Sequence, residues 1–420
     1  MPTKAMMRFR PFEDDETSTA KVLTNDGLVG EILLRLDCPA CLVRAAIINK
    51  RWLHNASDQA IIRSFRAKQS PRLLGIYVCS DDFSQPEFVP MPDASCPELA
   101  VALRHGNFNF PDMDSLLLNV WDCRNDGVLY EFGESIHAAL APAVRTPLRH
   151  PGEDTVVFPP QPSNTWPAEC PHAMLLPDDD GDDSSCYRVD IGNKNQKVYA
   201  RVLVLRAGSW SIHCSALADL ARSPEKILTV TLLMRGKIYM LTRAGYILAL
   251  DLATARFSIV DLPEGVEFEY HGNLTSCRGD DSALYLFHVK GDKLTVWLKR
   301  MNEHGDDGSR NGDWVLRDTI SLLETCGHLV EQDCEPADGQ EDGVSVVGVG
   351  DNAEFVFLEF VGTGVIVYMH LKSRNVKKVY QRNPDNDFVI RVLPFVMVWP
   401  PIFPEHGADM KVTDCIKSQE

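Results

Sequence analysis

Residues 227–262 read ILTVTLLMRGKIYMLTRAGYILALDLATARFSIVDL, which is four short apolar runs separated by turn residues. The runs are ILTVTLLM, KIYML, YILALD and RFSIVDL. Short runs rich in Val, Ile, Leu and Tyr with such breaks between them indicate strands joined by tight turns. Four strands in 36 residues make one antiparallel meander, which is the unit of a β-propeller blade.

The same pattern returns twice towards the C-terminus. One copy contains ALYLFHV, KLTVWLK and WVLRDTI, and the next contains VSVVGVG, EFVFLEF, VIVYMHL and VKKVYQR. Aligning Tyr239 with Tyr285 gives a spacing of 46 residues. Phe355 follows Tyr285 by 70 residues, because the polar segments 302–312 and 331–343 are inserted between them.

This repeat predicts a closed ring of blades. Segments 116–132 and 198–214 look like parts of further blades, and residues 71–404 at about 45 to 50 residues per blade predict six or seven blades. Ring closure also explains how so many short strands avoid exposed edges. Two stacked β-sandwiches remain the alternative, because the period is clear only between residues 227 and 380. The proline-rich segment 142–187, which includes DDDGDD, predicts a long surface loop.

Residues 23–68 read LTNDGLVGEILLRLDCPACLVRAAIINKRWLHNASDQAIIRSFRAK and predict three short amphipathic helices. The first begins after the capping residues 24–26 and has an apolar residue at every fourth position. The second is the apolar run 42–48, which ends at a polar and aromatic break at 49–52. The third is capped at 57–58. Three helices of this length bury little apolar surface, so we expect some apolar residues to face a partner.

This helical stretch resembles an F-box in the order and spacing of its residues. The matching residues are Leu23, Leu28, Glu31, Ile32, Leu33, Arg35, Leu36, Leu42, Arg44, Ile47, Lys50, Arg51 and Trp52, and residues 63–76 look like the continuation found in plant F-box proteins. The sequence departs from the family at Thr24, where proline is usual, at Gly27 and Gly30, and at Asn49, where cysteine is common. Each glycine costs an exposed helix about 1 kcal/mol relative to alanine, which predicts a soft first helix.

The resemblance implies a non-catalytic role as the substrate-recognition subunit of a Skp-cullin-F-box ubiquitin ligase. The F-box would bind a Skp-type adaptor and, through it, a cullin, while the β domain would hold an unknown target protein. F-box proteins of grasses often carry a propeller-like associated domain, and Trp121–Leu129, WDCRNDGVL, is similar to a recurrent strand-turn-strand of those domains. The residues expected at the adaptor contact or in its supporting core are Leu23, Leu28, Ile32, Leu36, Leu42, Val43, Arg44, Ile47, Lys50, Arg51 and Trp52.

The predicted fold class is α+β and multidomain, with a small helical module followed by an all-β domain. The expected division is a disordered segment 1–20, an F-box at 21–70, a propeller-like domain at 71–404 and a tail at 405–420.

Charge and cysteine content narrow the range of partners. The formal net charge of −17 argues against nucleic acid or an anionic membrane as the main partner. Residues 21–70 differ from the rest, with eight Lys or Arg against four Asp or Glu, which suits the acidic adaptor that the resemblance implies. Twelve scattered cysteines, no signal-peptide core and no apolar run of membrane-spanning length predict a reduced cytoplasmic or nuclear location.

The sequence predicts no catalytic, cofactor or metal site. Cys38–Cys41 is a C-x-x-C between two F-box helices and has no second pair, and the spacing of 178–183 does not fit an EF-hand. The glycines at 348–350 and 362–364 lack the helix of a phosphate-binding loop. Two other functions remain open, namely a β-propeller enzyme or carbohydrate-binding module, and an F-box scaffold that acts outside degradation.

Overall fold

The structure is a computed structural model. It describes residues 25–36, 39–68, 72–80, 85–92, 100, 103–104, 106–110, 117–124, 127–133, 141–145, 155–159, 172–177, 186–194, 196–280, 283–301, 314–330, 343–382 and 389–397. The chain divides into two compact units, a helical unit and a β unit that spans Leu73–Val396. The predicted segments 1–20, 178–183 and 405–420 lie outside the described residues, and the predicted domain boundaries stay a prediction.

The described part of the helical unit has four helices where three were predicted. They are α1 (Asp26–Leu33), α2 (Pro39–Ala46), α3 (Lys50–Ala56) and α4 (Gln59–Lys68). The predicted break at 49–52 is wrong, because the Asn49 side chain accepts a hydrogen bond from the Trp52 backbone N–H and so caps a new helix. Two other helix caps lie where the sequence predicts capping residues. The Asn25 side chain accepts a hydrogen bond from the Leu28 N–H, and the Asp58 side chain accepts from the N–H groups of Ala60 and Ile61.

A small apolar core joins these helices. Its buried members are Val29, Leu33, Leu42, Ala45, Ala46, Ala56 and Phe65, with Leu34, Leu36, Trp52, Leu53 and Ile61 packed against them. Gly30 is buried, and a Cβ added there would lie 3.2 Å from Cδ1 of Ile61. This glycine therefore lets α1 approach α4 closely, in addition to softening the helix.

The β unit consists of five four-stranded antiparallel blades and one further sheet. Blades 1 and 2 follow each other in the chain: blade 1 is β3 (Leu117–Arg124), β4 (Gly127–Gly133), β5 (Ala141–Arg145) and β6 (Thr155–Val157), and blade 2 is β7 (His172–Pro177), β8 (Cys186–Lys194), β9 (Lys197–Arg206) and β10 (Ser209–Asp219). Blade 3 is β11 (Ile227–Met234), β12 (Lys237–Thr242), β13 (Tyr246–Asp251) and β14 (Arg256–Asp261), and blade 4 is β15 (Leu274–Gly279), β16 (Ala283–Lys290), β17 (Lys293–Arg300) and β18 (Val315–Ser321). Blade 5 is β19 (Val344–Val349), β20 (Phe355–Phe360), β21 (Val365–His370) and β22 (Asn375–Gln381). Helix α5 (Leu322–Val330) connects blades 4 and 5. The first strands of successive blades contact one another, as in a β-propeller.

A three-stranded sheet, which we call the closing sheet, completes the ring from both ends of the β unit. It contains β1 (Arg72–Ser80), β2 (Glu87–Pro90) and β23 (Val389–Met397), in the order β2-β1-β23. On one side it packs against blade 1, where Arg391 donates to Oδ1 of Asn119 at 3.0 Å and to the carbonyl of Val120. On the other side it packs against blade 5, where Gly348 leaves no room for a side chain beside the Val392 carbonyl.

This architecture confirms an all-β propeller and corrects two expectations. Six or seven blades were predicted, but five four-stranded blades are present, because the closing sheet and the connections between blades use chain length that the count assigned to blades. The predicted loop 142–187 is also wrong, since β6, β7 and most of β5 lie within it. The alternative of two stacked sandwiches does not fit sheets that contact one another through their first strands. In the described part of the chain, no helix is long and apolar enough to cross a membrane.

Gly75 tests the closing sheet. A Cβ at Gly75 would lie 2.3 Å from Cζ of Phe88 and 2.7 Å from the Val89 carbonyl oxygen, so Gly75→Ala must push β2 away from β1. We expect the free energy of unfolding to fall by about 1 to 3 kcal/mol in urea titrations followed by tryptophan fluorescence. The control is Ser211→Ala at an exposed strand position, and equal unfolding midpoints for the two variants would contradict this packing.

Candidate functional site

The helical unit exposes three large apolar side chains. Leu28 on α1 is 43% exposed, and Ile47 and Ile48, just after α2, are 77% and 64% exposed. Arg44 and Lys50 are also exposed and lie three residues before Ile47 and two residues after Ile48 in the sequence. Apolar residues that interrupt a polar surface in this way are typical of a protein contact with a basic rim.

The remaining predicted adaptor residues divide between core and surface. Leu42 is fully buried and belongs to the supporting core, whereas Leu36 and Trp52 are half-buried and pack against that core. Ile32 and Val43 are half-buried as well. Leu23 lies outside the described residues.

Ile48 was missed by the sequence interpretation. Its position directly after Ile47 was assigned to the second helix, where one of two consecutive apolar residues normally faces the core. The structure ends α2 at Ala46, so both isoleucines lie in the turn before α3 and both are exposed. The N-cap Asn49 was the signal that could have placed the turn there.

A cluster of three polar side chains connects α1 to α3. Oδ1 of Asp26 accepts hydrogen bonds from Nε of Arg51 at 2.6 Å and from Nδ2 of Asn55 at 3.1 Å. Nδ2 of Asn55 also donates to the Arg51 carbonyl at 2.9 Å. The hydrogen bonds from Arg51 and Asn55 lower the pKa of Asp26, so the carboxylate is the favoured form. Arg51, predicted as part of the adaptor rim, is thus already bonded within the helical unit.

The β unit contains a buried ionic seam between blades 1 and 2. Nη1 of Arg188 lies 3.6 Å from Oε1 of Glu131, and its Nε lies 2.7 Å from Oδ1 of Asp190. Nη2 of Arg201 contacts the second oxygen of Asp190 at 2.9 Å, and Nε1 of Trp121 donates to Glu131 at 2.9 Å. Each carboxylate therefore has its own guanidinium partner, which is the arrangement that buried charges require.

This seam does not have the features of a catalytic pair. Glu131 and Asp190 are 2% and 3% exposed, so neither carboxylate is open to a substrate. Burial raises the pKa of Glu131, while Arg188 and the Trp121 indole act in the opposite direction. The guanidinium carbon of Arg391 lies over the Trp121 ring, 5.6 Å from the ring centroid. This contact connects the seam to the closing sheet. We interpret the seam as an element that orders the ring.

Three buried cysteines of the described residues do not have the features of a reactive thiol. Burial raises the pKa of the thiols of Cys79, Cys123 and Cys277, which keeps them as poor nucleophiles. Within the described ranges no group of three or more His, Cys, Asp or Glu could hold a metal ion. Cys38 of the C-x-x-C lies outside these ranges.

Comparison with known proteins identifies a family through the β unit. A family model described as F-box protein AT5G49610-like, beta-propeller, matches residues 119–403. No curated protein gives a significant match.

Solved structures match this chain only at low TM-scores and low sequence identity. A chain from a nidogen/laminin complex is 9% identical with a TM-score of 0.39, over 76% of this chain and 97% of that one. A protein from Lactobacillus plantarum is 11% identical with a TM-score of 0.34, over 64% and 71% of the two chains. Prolyl oligopeptidase B from Galerina marginata is 12% identical with a TM-score of 0.34, over 89% and 57%. At these TM-scores the likeness supports no statement about function.

The ionic seam can be tested by removing its central carboxylate. Asp190→Ala takes away the acid that Arg188 and Arg201 share, and we expect the free energy of unfolding to fall by about 3 to 5 kcal/mol. The matched control on the same blade is Asp219→Ala, which breaks an exposed pair with Lys197 at 4.0 Å and should change stability by less than about 1 kcal/mol. Urea unfolding measures both, and similar losses would contradict the structural role of the seam.

Proposed function

We propose, since the chain belongs to the family of F-box proteins with an AT5G49610-like β-propeller, that it is the substrate-recognition subunit of a Skp-cullin-F-box ubiquitin ligase. In this proposal the helical unit is the F-box and binds a Skp-type adaptor, which connects it to the cullin. The β unit holds a target protein.

The exposure of Ile47 and Ile48 is the observation that carries the proposal. Two adjacent isoleucines, 77% and 64% exposed, are unfavourable on a unit with so small a core unless a partner covers them. Leu28 adds a third apolar side chain, and the exposed Arg44 and Lys50 favour a partner with an acidic rim. An adaptor of the Skp type has the chemistry that such a surface would recognise.

The proposed role requires no bond making by this chain. Holding a target close to a ubiquitin-charged enzyme raises the effective concentration of the reacting groups, and this is the contribution of a recognition subunit. Such a complex would work in the cytoplasm or the nucleus, where the buried free thiols are compatible with reducing conditions. The two carboxylates of the ionic seam, being closed to substrates, give no support to the alternative of a propeller enzyme.

Adaptor binding tests this proposal directly. We expect the full chain to co-purify with at least one Skp-type adaptor and the variant Ile47→Asp, Ile48→Asp to lose about 100-fold or more in affinity, since two charges would then enter an apolar contact. The matched control is Ile212→Asp, Leu217→Asp on β10, where the side chains are 63% and 72% exposed.

The control variant should bind the adaptor as the unchanged chain does, and circular dichroism should show that all three proteins are folded. Failure of the folded unchanged chain to bind a panel of Skp-type adaptors would contradict the proposal. Equal loss of binding in both double variants would show that the loss is not specific to Ile47 and Ile48, which would contradict the proposed contact.

A further inference from the structure

Asp26 connects α1 to α3 through two hydrogen bonds to one of its carboxylate oxygens. Asp26 is the first residue of α1, and its Oδ1 accepts from two side chains one turn apart on α3, Arg51 at 2.6 Å and Asn55 at 3.1 Å. Asn55 is 7% exposed, so this amide is fixed by its surroundings. The start of α1 is therefore held by a buried amide and a charge-assisted hydrogen bond.

Helix α1 needs such a restraint. It has eight residues, which is too short for a stable isolated helix, and two of them are Gly27 and Gly30. Val29 and Leu33 bury one face of α1 in the core, and Gly30 brings α1 near Ile61 of α4, but such apolar contacts are not directional. The bonds from Arg51 and Asn55 act at the first residue of the helix and in a defined direction.

The restraint lies beside the exposed apolar residue of α1. Leu28 follows Asp26 by two residues, and its backbone N–H donates to the Asn25 side chain at 3.2 Å. The first turn of α1 is thus bonded twice, once by its own cap and once by α3. Leu28 remains 43% exposed within that turn.

We infer that Asp26 is a positioning residue for the adaptor contact, which fixes the first turn of α1 to α3 so that Leu28 is presented to the partner. This inference rests on the proposed adaptor binding. It assigns Arg51 to the positioning of α1, and it leaves Arg44 and Lys50 as the cations that face an acidic partner.

A thermodynamic cycle between Asp26 and Leu28 tests the inference in the full chain. Affinity for a Skp-type adaptor is measured by calorimetry for the unchanged chain, for Asp26→Ala, for Leu28→Ala and for the double variant. We expect Asp26→Ala to weaken binding about three- to fivefold in the unchanged background and to have almost no further effect in the Leu28→Ala background. A purely structural role would weaken binding equally in both backgrounds.

The matched control is Glu31→Ala, which removes another exposed acid from α1. Glu31 pairs with Arg35 of the following turn at 3.4 Å and makes no contact with α3 among the described ion pairs. It should leave adaptor affinity unchanged. Amide hydrogen exchange of the adaptor-free chain gives a second readout, in which Asp26→Ala should speed exchange in α1 and Glu31→Ala should not.

The possible outcomes separate this inference from the proposed function. The positioning role is overturned if the unchanged chain binds the adaptor and the Asp26→Ala variant binds it equally well. It is also overturned if Asp26→Ala weakens adaptor binding equally in the unchanged and the Leu28→Ala backgrounds, and in both cases the proposed function stands. If the unchanged chain binds no adaptor, the proposed function fails and the role of Asp26 in adaptor binding fails with it. In that case the exchange data still show whether Asp26 holds α1.

Discussion

The β unit depends on the hydrogen-bonded pairing of β1 with β23, which brings the two ends of that unit into one sheet. Joining distant ends costs chain entropy, which apolar burial on both faces of the closing sheet must offset. On the blade 1 side Tyr77 lies in a cluster with Phe110 and Phe395, and on the blade 5 side Ile76 packs with Phe357. The closing sheet therefore joins the ring by packing on both of its sides, although it has three strands where each blade has four.

The two units bury their apolar side chains to different extents. Each blade of the ring buries its faces against its neighbours, and the buried carboxylates between blades 1 and 2 are paired with guanidinium groups. The helical unit has too few residues for that, and Leu28, Ile47 and Ile48 stay exposed. The ring thus buries its own apolar faces, while in our proposal a partner covers the exposed apolar side chains of the helical unit.

The sequence predicts the fold best where apolar runs are uninterrupted. All four strands of blade 3 and of blade 5 were predicted, and Tyr239 and Tyr285 do occupy the same position, the third residue of the second strand. The equivalent residue in blade 5 is Phe357, two residues beyond the alignment made from sequence. Strand β15 was missed because LTSCRG is polar and short, although its first four residues are buried. Strands β6 and β7 were missed because prolines beside them indicate loops.

The sequence named residues for the adaptor contact or its supporting core without separating the two roles, and the adaptor contact stays a prediction. Leu28 and Ile47 are exposed and Leu42 is core, and no pattern of spacing distinguishes the two positions in such short helices. Asp26 and Arg51 lie 25 residues apart in the sequence, so helical periodicity does not predict the hydrogen bond between them. Tertiary contacts of this kind become visible only when the helices are placed together.

Hydrogen exchange of the full chain, alone and saturated with a Skp-type adaptor, shows whether the helical unit is the adaptor-binding surface. We expect the adaptor to slow exchange in α1, in the turn that contains Ile47 and Ile48 and at the start of α3, and to leave the strands of the blades unchanged. Protection confined to the β unit, or no protection in the presence of any Skp-type adaptor, would contradict it.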